Sequence, residues 1–143
     1  MGRTILLIGT MDTKEEELLF CRELIFRRGF KVLLLDAGIL KDPRAPADIS
    51  RREVALAGGV GDLDDLVARG DKGKCIAAMI QGVTAKTQEL LRRKAFDGIL
   101  GMGGGQGTDI CASAMRGAPR GMPKMPSVVK YMWDTIRLME YPR

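Results

Sequence analysis

Five glycines in seven residues, Gly101-Met102-Gly103-Gly104-Gly105-Gln106-Gly107, constrain the fold of this chain more than any other stretch. The apolar run from Phe96 to Leu100 precedes them. Thr108 and the helix-forming segment Asp109-Ile110-Cys111-Ala112-Ser113-Ala114-Met115 follow. The order reads as strand, glycine turn, helix. Glycine lets the backbone come close to a neighbour, and a helix opening there presents unpaired N–H groups. Phosphate or another anion suits such an end. Neither familiar fingerprint is met: Gly-x-Gly-x-x-Gly counted from Gly101 would need glycine where Gln106 stands, and no Gly-Lys-Ser/Thr is present. The cradle therefore consists of backbone N–H groups and the Thr108 hydroxyl.

The rest of the chain alternates strand and helix patterns. Thr4-Ile5-Leu6-Leu7-Ile8 is a continuous apolar run ending at Gly9, as expected of a strand buried on both faces. After the turn Gly9 to Lys14, residues Leu18, Leu19, Cys21, Leu24 and Ile25 recur at helical spacing up to Gly29. Lys31 to Asp36 is a second strand, so strand, helix and strand make a βαβ unit. Pro43, Pro46, Gly58, Gly59 and Gly61 break up the pattern over segment 38–61. Ser50-x-x-Glu53 within it is a capping box for a short helix over 51–57, and a second short helix is expected over 62–67. A long helix is expected from about 72 to 94, with Gly82 a weak point inside it. A third strand over 97–102, the glycine loop, a helix over 107–117 and a fourth strand near Lys124 complete the pattern. The expected fold is α/β: a Rossmann-like three-layer domain with a mostly parallel sheet of about four strands, in one domain over 1–143. Val129, Met132, Trp133, Ile136 and Met139 have helical spacing, so a terminal amphipathic helix is expected over 128–140.

Composition excludes several chemistries. The chain has 143 residues and no histidine, which removes Ser-His and Cys-His nucleophile pairs and most zinc sites. Cys21, Cys75 and Cys111 lie far apart without a Cys-x-x-Cys and read as buried thiols. No apolar run reaches the ~18 residues that span a bilayer. No leader is recognisable, so a cytoplasmic location and no membrane partner are expected. The net charge of +5 is concentrated after residue 109, where six basic residues face two acidic ones. The first 109 residues are close to neutral, so a uniformly basic face is lacking and nucleic acid is not an expected partner.

In a parallel sheet the strand C-terminal ends share one edge, so three loops converge there. The first offers Gly9, Thr10, Asp12, Thr13 and Lys14, with hydroxyls and a charge for phosphate. Asp12-x-x-Glu15 and Thr13-x-x-Glu16 equally fit helix caps. The second offers Asp36 and Gly38, with Asp36 placed either to take ribose hydroxyls or to cap a turn. The third offers Gly103, Gly104, Gly105, Gln106, Gly107 and Thr108. Lys124 is a further candidate at the same edge. Hydrolysis would call for Mg²⁺ and a group to orient water. Asp12 and Asp109 are the carboxylates beside these loops, and both also suit helix starts.

These segments together resemble the tomato mosaic virus resistance protein family of ATP-binding proteins, with bacterial and fungal relatives. Gly9-Thr10-Met11-Asp12-Thr13-Lys14 is similar to that family's Gly-Thr-x-Asp-Thr-Lys, and Asp36-Ala37-Gly38 to its Asp-Val-Gly. Ala47 to Arg51, Gly70-Asp71-Lys72-Gly73, Gly98 to Thr108 and Gly121-Met122-Pro123-Lys124 continue the likeness over residues 3–124. The family has Ser-Gly where Gly105-Gln106 stand, and after Pro-Lys it carries a strand and a Ser-Thr-x-Ala-Ser-Gly loop that 125–143 do not match. The resemblance implies a nucleotide-binding domain with ATP as cofactor, ordinarily followed by a second α/β domain. In the plant member it implies binding of a viral replication protein. The expected function is thus ATP or nucleotide binding on glycine-rich loops. The alternative is a non-catalytic interaction module that forms a homo-oligomer through Met132, Trp133 and Ile136.

Overall fold

The computed structural model describes residues 2–128; the expected terminal helix and its Met132-Trp133-Ile136 face lie outside the described residues. The elements are β1 (Thr4–Gly9), α1 (Met11–Arg27), β2 (Lys31–Asp36), α2 (Arg51–Ala57), α3 (Leu63–Ala68), α4 (Lys72–Arg92), β3 (Gly98–Gly103), α5 (Gly105–Arg116) and β4 (Lys124–Val128). The sheet has the order β2-β1-β3-β4, and every pairing is parallel. The chain moves outward from β1 to β2, then crosses back over β1 to reach β3. The reversal places a switch point between the C-terminal ends of β1 and β3.

Alternation along the strands divides the core in two. Leu7 and Leu34 point to one face and pack with Leu18 and Cys21 of α1. Leu6, Ile8, Leu35 and Ile99 point to the other and pack with Val54, Met79, Val83, Ile110 and Cys111 of α2, α4 and α5. Continuous apolar strands are what burial on both faces requires. This is the Rossmann-like three-layer arrangement.

Helix starts follow their caps. Ser50 Oγ accepts the Glu53 N–H at 3.2 Å, Asp62 Oδ1 the Asp65 N–H at 3.0 Å and Asp71 Oδ1 the Lys74 N–H at 3.0 Å. Gly29 ends α1 with φ of +88°, a conformation that favours glycine. α4 runs unbroken through Gly82. A Cβ there would be driven into the carbonyl of Val54, and one at Gly58 into that of Ala78. The two glycines let α2 and α4 cross at backbone contact, so Gly82 is a packing device and not a helix weakness.

Segment 38–50 is ordered by its backbone. Ile49 forms a parallel bridge to Leu35, and Asp48 Oδ2 accepts the Leu34 N–H at 2.7 Å, so the segment covers the outer edge of β2. Arg51, 3% exposed, anchors it from α2. Its guanidinium donates to Ile39 O at 2.9 Å and pairs with Asp42 at 2.8 Å and Asp64 at 3.0 Å. The Arg51 hydrogen bond, aided by Arg52, holds the Asp42 carboxyl below the usual range. Asp42 and Asp64 are half-exposed, so truncating Arg51 leaves them solvated but strands the Ile39 carbonyl and opens a hole. Arg51→Ala is expected to cost about 1–3 kcal/mol in urea denaturation, with 38–50 losing hydrogen-exchange protection first.

Candidate functional site

A cleft of about 460 Å³ opens at the switch point. Its floor is the start of two helices. α5 begins on Gly104 with no side-chain cap, two residues earlier than the sequence pattern indicates, so Gly105 and Gln106 are already helical. α1 likewise begins at Met11, so most of the expected turn is the helix's first turn, with a kink at Lys14 (φ −131°, ψ 27°). The first N–H groups of a helix have no partner within it, so the α5 terminus directs partial positive charge into the cleft, while at α1 the Met11 N–H is taken by Asp36.

Side chains complete it. Thr10, Asp12, Thr13 and Lys14 come from the β1–α1 junction, and Gly104 and Gly107 from the β3–α5 junction. The Thr10 and Thr13 hydroxyls lie 3.1 Å apart. Lys72, the first residue of α4, faces them across the cleft, and Ile39, Leu40 and Ile110 form an apolar wall. Neither Lys14 nor Lys72 has a carboxylate at ion-pair distance among the described residues. Lys72 was not singled out from the sequence as a site residue. Its signal was the acid-glycine setting Gly70-Asp71-Lys72-Gly73, and only the path of 38–71 brings it to the sheet edge.

Several expected residues serve the frame instead. The glycines at 9 and 103 allow close packing: a Cβ on Gly9 would meet the Leu18 side chain at 2.6 Å, and one on Gly103 the Gly107 Cα at 2.5 Å. Gly104 has open space where its Cβ would sit. Thr108 Oγ1 donates back to Gly104 O at 2.7 Å, so the hydroxyl braces the loop. Asp36 is 1% exposed, and its Oδ1 accepts the Met11 N–H at 3.0 Å and the Gly38 N–H at 2.8 Å. It tethers the start of α1, the capping alternative, and is not among the lining residues. Burial above all, and the neighbouring Asp12 charge to a lesser degree, push its carboxyl above the usual range. Asp12 lines the cleft but does not cap α1: its Oδ2 accepts the N–H groups of Ile39 and Leu40, both at 3.0 Å, and its Oδ1 is buried. Asp109 is exposed on α5, and Lys124 Nζ donates to Pro119 O. Among the described residues no group of three or more metal-ligating side chains forms, and neither oxygen of Asp12 is free to the cleft, so no residue is assigned to Mg²⁺.

A parallel sheet with two helices starting at its switch point places this domain in the Rossmann-like α/β class. The chain belongs to the uncharacterised protein family UPF0261, whose N-terminal domain matches residues 3–129. It is 33% identical to a UPF0261 protein of Clostridium tetani (strain Massachusetts / E88) over 125 residues, 87% of this chain and 31% of that protein. It is 37% identical over 120 residues to one of Brucella suis biovar 1 (strain 1330), 84% of this chain and 28% of that protein. With one of Rhizobium meliloti (strain 1021) it shares 37% over 123 residues, 86% and 30%. The chain thus spans about a third of the length of these curated relatives.

This match corrects the resemblance to the tomato mosaic virus resistance protein family, since the matched profile and the relatives are UPF0261. The motifs behind the resemblance are strand-end turns and helix starts. Any parallel sheet needs those, and the physical demands there are close packing and capping. No described helix is long and apolar enough to cross a membrane.

Proposed function

We propose that this domain binds a nucleotide, such as ATP, or a related phosphate-bearing small molecule in the cleft between α1 and α5. The carrying observation is convergence. Two helix N-termini, Lys14, Lys72 and the Thr10 and Thr13 hydroxyls surround one space, with the apolar wall of Ile39, Leu40 and Ile110 beside them. The uncapped N–H groups of α5 and the two ammonium groups favour a polyanion over a neutral solute. The wall provides for a ring, and the volume falls within the range of small-molecule sites.

The proposal is for binding, with no chemical step assigned. General-base work needs a carboxylate or similar group facing the reacting atoms. Asp12 is committed to the Ile39 and Leu40 N–H groups, and Asp36 lies behind the cleft. Calorimetric titration with ATP, ADP and inorganic triphosphate tests the reading. Nucleotides are expected to bind more tightly than triphosphate, because only they reach the apolar wall. No heat from any of the three at millimolar concentration, on a folded sample, rules the reading out.

A further inference from the structure

A carboxylate stands in a cleft whose other polar groups suit an anion. Asp12 lines it with Lys14, Lys72, Thr10 and Thr13. A negative charge there opposes the approach of a polyanion. No ion pair joins Asp12 to Lys14 or Lys72 among the described residues, so the charge does not serve to hold either lysine.

What Asp12 holds is the apolar wall. Its Oδ2 accepts the N–H groups of Ile39 and Leu40, both at 3.0 Å and from 27 and 28 residues away. The approach is prepared from both sides. Asp36 Oδ1 accepts the N–H groups of Met11, which precedes Asp12, and of Gly38, which precedes Ile39. The start of α1 is thereby set against the turn after β2. Gly38 leaves the room: a Cβ there would lie 3.0 Å from Asp12 Cγ.

The two wall residues are not held alike. Ile39 has a second anchor, since Arg51 Nη1 donates to its carbonyl at 2.9 Å. Further along, the Ala45 N–H donates to Glu15 Oε1 at 2.8 Å. For the Leu40 backbone the bond to Asp12 is the one hydrogen bond among the described residues. The Leu40 residue is 65% exposed, so packing does little to keep its side chain over the cleft.

We propose that Asp12 is a positioning residue that sets the ligand choice of the cleft: it holds Leu40 where the ring of a nucleotide would lie, and so favours a nucleotide over a bare phosphate chain. This rests on the reading that the cleft takes a phosphate-bearing ligand. The carboxylate charge weakens the hold on any phosphate chain. The wall it supports offsets that loss only for a ligand with a ring to cover.

Substitutions separate the two effects in calorimetric titrations of the full chain with ATP and with inorganic triphosphate. Asp12→Ala is expected to bind triphosphate about 3- to 10-fold more tightly than wild type, because a like charge is gone. Its preference for ATP over triphosphate is expected to fall about 10-fold, the contribution of one covered leucine side chain. Asp12→Asn keeps an acceptor oxygen without the charge. It is expected to tighten triphosphate binding likewise while retaining most of the ATP preference. Leu40→Ala is expected to lower the preference, and adding it to Asp12→Ala to lower it little further, because the aspartate acts through the leucine.

An ATP preference as high in Asp12→Ala as in wild type overturns the proposal. So does an Asp12→Asn variant that loses the preference, or losses from Asp12→Ala and Leu40→Ala that simply add. Heat from neither ligand in wild type overturns the binding reading itself, and this one with it. If Asp12→Ala does not fold, amide hydrogen exchange of wild type at Leu40 decides. Slow exchange at so exposed a residue supports the tether, and exchange as fast as in a free loop overturns it.

Discussion

Gly82→Val is expected to unfold the domain or cost about 3 kcal/mol or more, the largest single-residue effect among those considered. The side chain would have to enter the space held by the Val54 carbonyl, which is backbone and cannot rotate aside. Relief requires α2 to lift from α4. That movement exposes Val54, Met79 and Val83 and frees Arg51, the anchor of segment 38–50. Loss should therefore reach the cleft wall some distance away. Gly61→Ala is the matched control. Nothing lies within 4 Å of where its Cβ would be, and its stability should remain within about 0.5 kcal/mol of wild type. Thermal or urea denaturation of the two variants makes the comparison. A Gly82→Val protein as stable as wild type would mean that the α2–α4 crossing is looser than the structure has it.

Removing Lys14 and Lys72 together should nearly abolish binding of a phosphate-bearing ligand while leaving the fold intact. Each ammonium group lacks a protein counter-ion among the described residues and lines the cleft, so neither contributes an ion pair to folding. A hydrogen bond to a charged group contributes about 1.5–3 kcal/mol, so each Lys→Ala should weaken ATP binding about 10- to 100-fold. The two helix N-termini remain in the double variant, so weak, salt-sensitive binding persists. Calorimetry on the single and double variants, with circular dichroism for the fold, gives the measurement. Undiminished affinity in the double variant would place the ligand elsewhere.

The parallel sheet and most helix boundaries follow from local pattern, while the strand order comes from the tertiary structure. Apolar runs without alternation require strands covered on both faces. Ser50 and Asp71 start helices through hydrogen bonds three residues away, and such short-range chemistry is legible in a chain. The strand-glycine-helix order around Gly101 to Thr108 also follows, because an apolar run, a glycine cluster and a helical run stand there in that order.

Side-chain partners over long separations were decided by tertiary structure. Asp36 suits a ribose contact by position, yet the Met11 N–H, 25 residues away in the chain, claims it. Asp12 suits a cap, yet the Ile39 and Leu40 N–H groups reach it across the loop. Gly82 looks like a defect in a helix until α2 is laid across it. Lys72 gains its place only because the long excursion over 38–71 returns the start of α4 to the edge where β1 and β3 end. The physical reason is the same in each case. A carboxylate, a lysine or a missing Cβ takes its role from what is packed against it, and those neighbours are fixed by the closure of the whole core. The glycine-rich stretch shows both sides. Its residues dictated a close turn into a helix, while the cleft that turn opens onto was assembled by loops from the rest of the domain.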